Sequence, residues 1–194
     1  EAELQRKLGM INMPIGSFIH LNPVVRNGAA KGIVKTVFFI AKHLKAALNE
    51  AAATDRATFM TVAQLDGSLG MDGGLSFNPI NGGLFGLTKT MNLEWPNVYC
   101  RAIDLHPGIA AERAANYVLA ELYDPNRLLV EVGYGNKGRV TLETAVSPLD
   151  PYTPNPKITP ASVFVVSGGA KGITAQCAIN LAEQYRCKFI LLGR

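Results

Sequence analysis

Cysteine and histidine are scarce in this chain of 194 residues, with three of each. Cys100, Cys177 and Cys187 are odd in number and lie in or beside apolar segments. They form no Cys-x-x-Cys pair, which argues for reduced thiols rather than a disulfide framework. His20, His43 and His106 stand apart from one another and from Asp, Glu or Cys at ligand spacing, so no metal site is expected. No apolar run approaches the ~20 residues that cross a bilayer. The opening Glu1-Ala2-Glu3 is acidic where a secretory leader would be basic. These absences point to a soluble, cytoplasmic protein.

Charge is also thin, at 18% of residues against 48% hydrophobic, proportions typical of a folded chain. The net charge of +4 is dispersed. Lys31, Lys35, Lys42 and Lys45 share one predicted helix, and no aromatic-interleaved basic block suggests nucleic acid. A solvated helix face explains those lysines; an anionic partner, such as a carrier protein or a cofactor phosphate, is the functional alternative. Ser68 and Ser76 fall in a glycine-rich loop without a nucleophile elbow.

What is present is an alternation of strand and helix patterns. Ser17 to Leu21 reads as a short strand and Ala30 to Ala53 as a long amphipathic helix, with Val34, Val37, Phe38, Ala41, Leu44 and Leu48 at helical spacing. Ala57 to Leu65 reads as a strand, followed by a loop, Asp66 to Asn81, long enough to be mobile. Gly83 to Leu93 is helical and stops at Pro96. Val98 to Leu105 is a strand, Ala111 to Tyr123 a helix, Leu128 to Gly133 a strand and Gly138 to Val146 an extended run. Trp95 and Met91 are expected to pack. The alternation predicts an α/β fold, a Rossmann-like parallel sheet with helices on both faces.

Pro148 to Pro160 then carries five prolines, which favour extended surface chain. After it the pattern restarts with VFVVSGGAKGIT, Val163 to Thr174, and an apolar run, Lys188 to Leu192, ending in Gly193-Arg194. A strand, a glycine turn, an amphipathic stretch and a second strand make the opening of a dinucleotide-binding unit, where N–H groups at a helix start receive a pyrophosphate. Three parts are expected: residues 1–146, a truncated structural subdomain; 147–162, a proline-rich connection; and 163–194, the start of a cofactor-binding subdomain. The chain thus reads as a piece of something larger.

Ser167-Gly168-Gly169-Ala170-Lys171-Gly172-Ile173-Thr174 resembles the T-G-x-x-x-G-x-G turn of short-chain dehydrogenases and reductases, with Ser167 for the first Thr and Thr174 for the last Gly. Gly168 would permit the tight turn, and Gly172 the backbone approach to the pyrophosphate together with close helix–strand packing. No acidic residue follows the second strand to bind a ribose hydroxyl. Arg194 can instead clasp a 2′-phosphate, favouring NADPH; a plain surface arginine is the other reading. The first unit resembles the latter half of such a domain, with Phe85-Gly86-Leu87-Thr88-Lys89 where reductases carry Tyr-x-x-x-Lys, then a strand ending in Pro107-Gly108. Phe85 has no proton to give, so this unit is expected to serve packing.

A degenerate reductase-like unit, a proline-rich connection and a fresh cofactor turn together resemble the ketoreductase domain of polyketide synthases and, most closely, of the polyunsaturated fatty acid synthases. The resemblance implies NADPH-dependent reduction of a 3-ketoacyl group to the 3-hydroxyacyl form. The substrate would ride on the phosphopantetheine of an acyl carrier protein domain, among the synthase's other domains as partners. It implies cofactor contacts at Gly168, Gly169, Ala170, Gly172, Ile173 and Arg194. It assigns no catalytic residue within the chain, so residues 1–194 alone are expected to be inactive. A non-catalytic structural or docking module is the alternative.

Overall fold

The computed structural model describes residues 1–24, 30–146, 148 and 157–193. Residues 25–29, Arg194 and most of the proline-rich connection lie outside the described residues. The chain divides into two compact units, Glu1–Thr144 and Ala145–Arg194.

The first unit opens with α1 (Ala2–Leu8), a short helix whose pattern the sequence reading does not single out. Then follow β1 (Ser17–Leu21), α2 (Ala30–Ala51), β2 (Thr58–Ala63), a 3₁₀ turn at Pro79–Asn81, α3 (Gly82–Glu94), β3 (Tyr99–Leu105), α4 (Ala111–Leu122), β4 (Glu131–Gly135) and β5 (Gly138–Val140). The strands lie side by side in chain order. β1 to β4 are parallel, and β5 returns antiparallel on β4. The last parallel strand thus begins three residues later than its apolar pattern suggests, and the extended run after Gly138 pairs over three residues only.

β2 and β3 are buried along their whole length, as interior strands of a parallel sheet must be. On one face, Phe59, Ala63, Cys100 and Ala102 meet Val37, Leu44 and Leu48 of α2 and Leu84, Phe85 and Met91 of α3. Trp95 packs edge-on against Phe59, ring centres 5.6 Å apart, and is 1% exposed, as expected of a packing residue. On the other face, Met60, Val62, Ile103, Leu105 and Val132 receive Ala114, Tyr117, Val118 and Leu122 of α4. Helices therefore cover both faces.

This distribution has a topological consequence. The three crossovers β1–α2–β2, β2–α3–β3 and β3–α4–β4 all advance in the same direction across the sheet, yet α4 lies on the face opposite α2 and α3. The third crossover must have the opposite hand to the first two. With right-handed crossovers strongly preferred, the α4 connection is the exceptional one.

The second unit comprises β6 (Val163–Ser167), α5 (Gly172–Tyr185) and β7 (Lys188–Leu192), with β6 and β7 parallel. Phe164 and Phe189 stack at 5.6 Å. Among its described residues only Gly169, Ala178 and Cys187 are buried. Val163, Val165, Ile190 and Leu192 are each more than half exposed.

Candidate cofactor turn

β6 ends at Ser167, and the chain reverses into α5 through the four residues 168–171. Gly168 adopts φ +74° and Gly172 φ +63°, a region that L side chains rarely enter. The Gly168 N–H donates to the Leu192 carbonyl at 2.7 Å, tying the turn to the end of β7. A Cβ on Gly169 would lie 2.8 Å from Leu191 Cδ2 and 3.0 Å from Val166 Cγ1. A Cβ on Gly172 would meet nothing within 4 Å. The close packing expected at Gly172 therefore falls at Gly169. What Gly172 supplies is the left-handed entry into the helix.

Lys171 occupies the N-cap position of α5, in extended backbone, and its side chain makes no capping hydrogen bond. The first N–H groups of α5 are thus left to an outside acceptor, beside the positive end of the helix dipole. Ala170, Lys171, Gly172 and Ile173 are exposed, Ile173 at 85%. Gly193 approaches the turn, its would-be Cβ 3.4 Å from that of Ala170. The structure thus brings residues 168–173 and the end of β7 together; Arg194, the next residue, lies outside the described ones. The bare backbone donors at the exposed start of α5 suit a diphosphate.

In the first unit, Phe85 is 4% exposed within the apolar core, and Lys89 pairs with Glu131 at 2.9 Å. The pair at reductase spacing is split: its aromatic ring packs, and its ammonium is held by a carboxylate. Lys42 and Lys45, more than half exposed, face Glu1 at 2.7 Å and Glu94 at 3.9 Å.

Two networks escaped the sequence reading. Asp66 accepts from the N–H groups of Ser68, Gly70 and Asp72, while Asp104 accepts from those of Leu65 and Leu69. The loop after β2, whose length predicts mobility, is thereby clamped at its start. Burial pushes Asp66 up, but its three backbone donors outweigh that and hold it below the ordinary aspartate range; burial leaves Asp104 raised. The second network is a buried cluster on the α4 face. Arg101, fully buried, meets Glu121 at 3.1 Å, Asp124 at 3.0 Å and the Tyr99 hydroxyl. Arg139 closes onto Glu121 at 2.6 Å, and Tyr134 donates to Glu121 at 2.5 Å. No local spacing announces such a cluster, since its members come from β3, α4, the turn after α4, β4 and β5. Among the described residues no three His, Cys, Asp or Glu side chains form a metal-holding group, and no helix is long and apolar enough to cross a membrane.

The fold is that of a ketoreductase domain. Structures similar to the chain include A-type ketoreductases from a modular polyketide synthase (20% identity, TM-score 0.66, 98% of this chain and 40% of that one). Another is a keto acid-selecting NRPS module containing adenylation, ketoreductase and pseudo Asub domains (19% identity, TM-score 0.66, 99% of this chain and 16% of that one). No family model matches. In sequence the chain is similar to a polyunsaturated fatty acid synthase polypeptide of Thraustochytrium sp., 36% identical over 170 residues. The match covers 84% of this chain but only 6% of the relative's length. The chain thus has a ketoreductase-like fold and is similar in sequence to a segment of a polyunsaturated fatty acid synthase subunit.

Proposed function

We propose that the chain is part of a ketoreductase domain that reduces 3-ketoacyl to 3-hydroxyacyl groups with NADPH, on an acyl carrier protein of a cytoplasmic multifunctional synthase. In this reading residues 1–146 are a structural subdomain, 147–162 a connection and 163–194 the start of the cofactor-binding subdomain. The carrying observation is the left-handed pair Gly168 and Gly172 around an uncapped helix start. The backbone of Gly168 to Ile173 would hold the diphosphate, and Arg194 the 2′-phosphate. NADPH, when bound, supplies the hydride. No described residue is assigned proton transfer: Phe85 carries no hydroxyl, and Lys89 is engaged by Glu131. That supports a packing role for the first unit, and it is also what favours the second reading, a non-catalytic structural or docking module.

Titration of the intact synthase protein with NADPH and NADH separates the two. The ketoreductase reading expects Gly169→Val to abolish NADPH binding. It also expects Arg194→Asp to weaken NADPH about tenfold or more while sparing NADH, the loss of one charge-assisted phosphate pair. NADPH binding untouched by both variants would leave only the structural module.

A further inference from the structure

The carboxyl ends of β1, β2 and β3 surround a cleft of about 560 Å³, with α4 as its remaining wall. Its existence follows from the exceptional crossover. The chain leaves β2 towards the α3 face and leaves β3 towards the α4 face. Neighbouring strand ends whose chains part to opposite faces open a crevice at the carboxyl edge, where open α/β sheets take their ligands. The volume falls within the range of about 300–1,000 Å³ usual for small-molecule sites.

The lining is aliphatic, with Leu21, Val62, Leu105, Ile109, Val118 and Leu119 prominent. Leu21 and Leu119 are 65% and 53% exposed, an apolar surface turned to the open cleft. Among the described residues no charged side chain lines it; Asn22 and Gln64 are the only polar ones. The Gln64 carboxamide has no partner among the described residues, and that of Asn22 is engaged only by its Oδ1, 3.4 Å from His20 Nε2. Donor and acceptor capacity is left over beside an uncharged apolar wall.

We propose that this cleft binds a neutral aliphatic small molecule, its chain along α4 and its single amide- or carbonyl-type group on Gln64 and Asn22. Among the described residues nothing there offers a counter-charge to a desolvated carboxylate or ammonium, which disfavours charged analogues. The proposal stands whether or not the glycine turn binds NADPH. The competing occupant is a peptide segment of the same polypeptide, which would block the cleft to small molecules.

Calorimetric titration of the intact protein with decanamide tests it, against decanoate and decylammonium. The expected result is saturable decanamide binding, with both charged analogues at least about tenfold weaker. Ala115→Trp should plug the cleft from an exposed position on α4 and abolish binding with an unchanged thermal midpoint; Ala111→Phe, on the same wall, serves if the first variant fails to fold. Gln64→Leu should weaken decanamide about tenfold, the worth of one hydrogen bond. No saturable binding, equal binding of the charged analogues, or binding that survives the plugs would overturn the proposal.

Discussion

Gly169 and Gly172 make different demands on the turn they share. Gly169 has ordinary backbone angles but no room, whereas Gly172 has room but stands at φ +63°. Alanine at 172 should cost about 1–2 kcal/mol through its left-handed backbone alone. Alanine at 169 must displace Leu191 or Val166, so β6 and β7 should lose register protection as well. Amide exchange across Val163–Leu192 distinguishes them: only Gly169→Ala should loosen both strands. The cysteines give a second residue-scale expectation. Cys100 is 2% exposed and burial pushes its thiol up to about 12, so at neutral pH it is neither ionised nor reachable. Cys177 is exposed and Cys187 buried. Brief treatment of the native protein with iodoacetamide should label Cys177 and spare Cys100, as peptide mass mapping would show. A sequence shows where thiols fall among apolar residues, but not which one a helix turns outward.

At the scale of elements, two networks set the geometry of β3 and its neighbours. Removing the fully buried Arg101 leaves Glu121 and Asp124 to Arg139 alone, and Arg101→Met should cost about 1–3 kcal/mol in urea unfolding. The loop after β2 carries Leu69 at φ +60°, a strained position held by the Asp104 carboxylate on its N–H at 2.8 Å. The loop also lies against β4 so closely that a Cβ on Gly67 would fall 2.2 Å from the Tyr134 carbonyl oxygen. The two aspartates titrate in opposite senses. Asp66, held below its ordinary 3.8, contributes stability present above that value and lost as pH falls through its lower folded one. Asp104, raised by burial, favours the fold below 3.8 and loses that contribution as pH rises through its folded value. Asp66→Asn should therefore destabilise at neutral pH by about 1–3 kcal/mol. Asp104→Asn should flatten the fall of stability just above pH 3.8. Urea midpoints measured from pH 3.5 to 7 read both. Phe85→Tyr belongs here too: a hydroxyl placed in the α3 core without a partner should destabilise by about 1–3 kcal/mol and confer no reductase activity.

The whole molecule shows two units of unequal solidity. The first has an apolar layer on each side of its sheet; the second has two strands, one helix and an open apolar face. A two-stranded sheet of this kind is marginal by itself. In the 194-residue polypeptide, amides of β6 and β7 should exchange far faster than those of β2 and β3. Equal protection would mean that the second unit is stable as it stands. Much of this organisation was legible in the residues: strand and helix periods, the glycine turn and the inert Phe85 follow from local steric and chemical rules. The boundaries of β4 were not, because Leu128 and Leu129 are as apolar as the strand itself while pairing begins only at Glu131. Short-range periodicity and glycine spacing by themselves determined the fold class and the candidate cofactor turn, since both act within a few residues of chain. Only the tertiary structure decided which face α4 covers, how Arg101 and Glu121 meet, and that three strand ends enclose an apolar cleft. Those are contacts between residues 20 to 100 positions apart, and no local pattern encodes them.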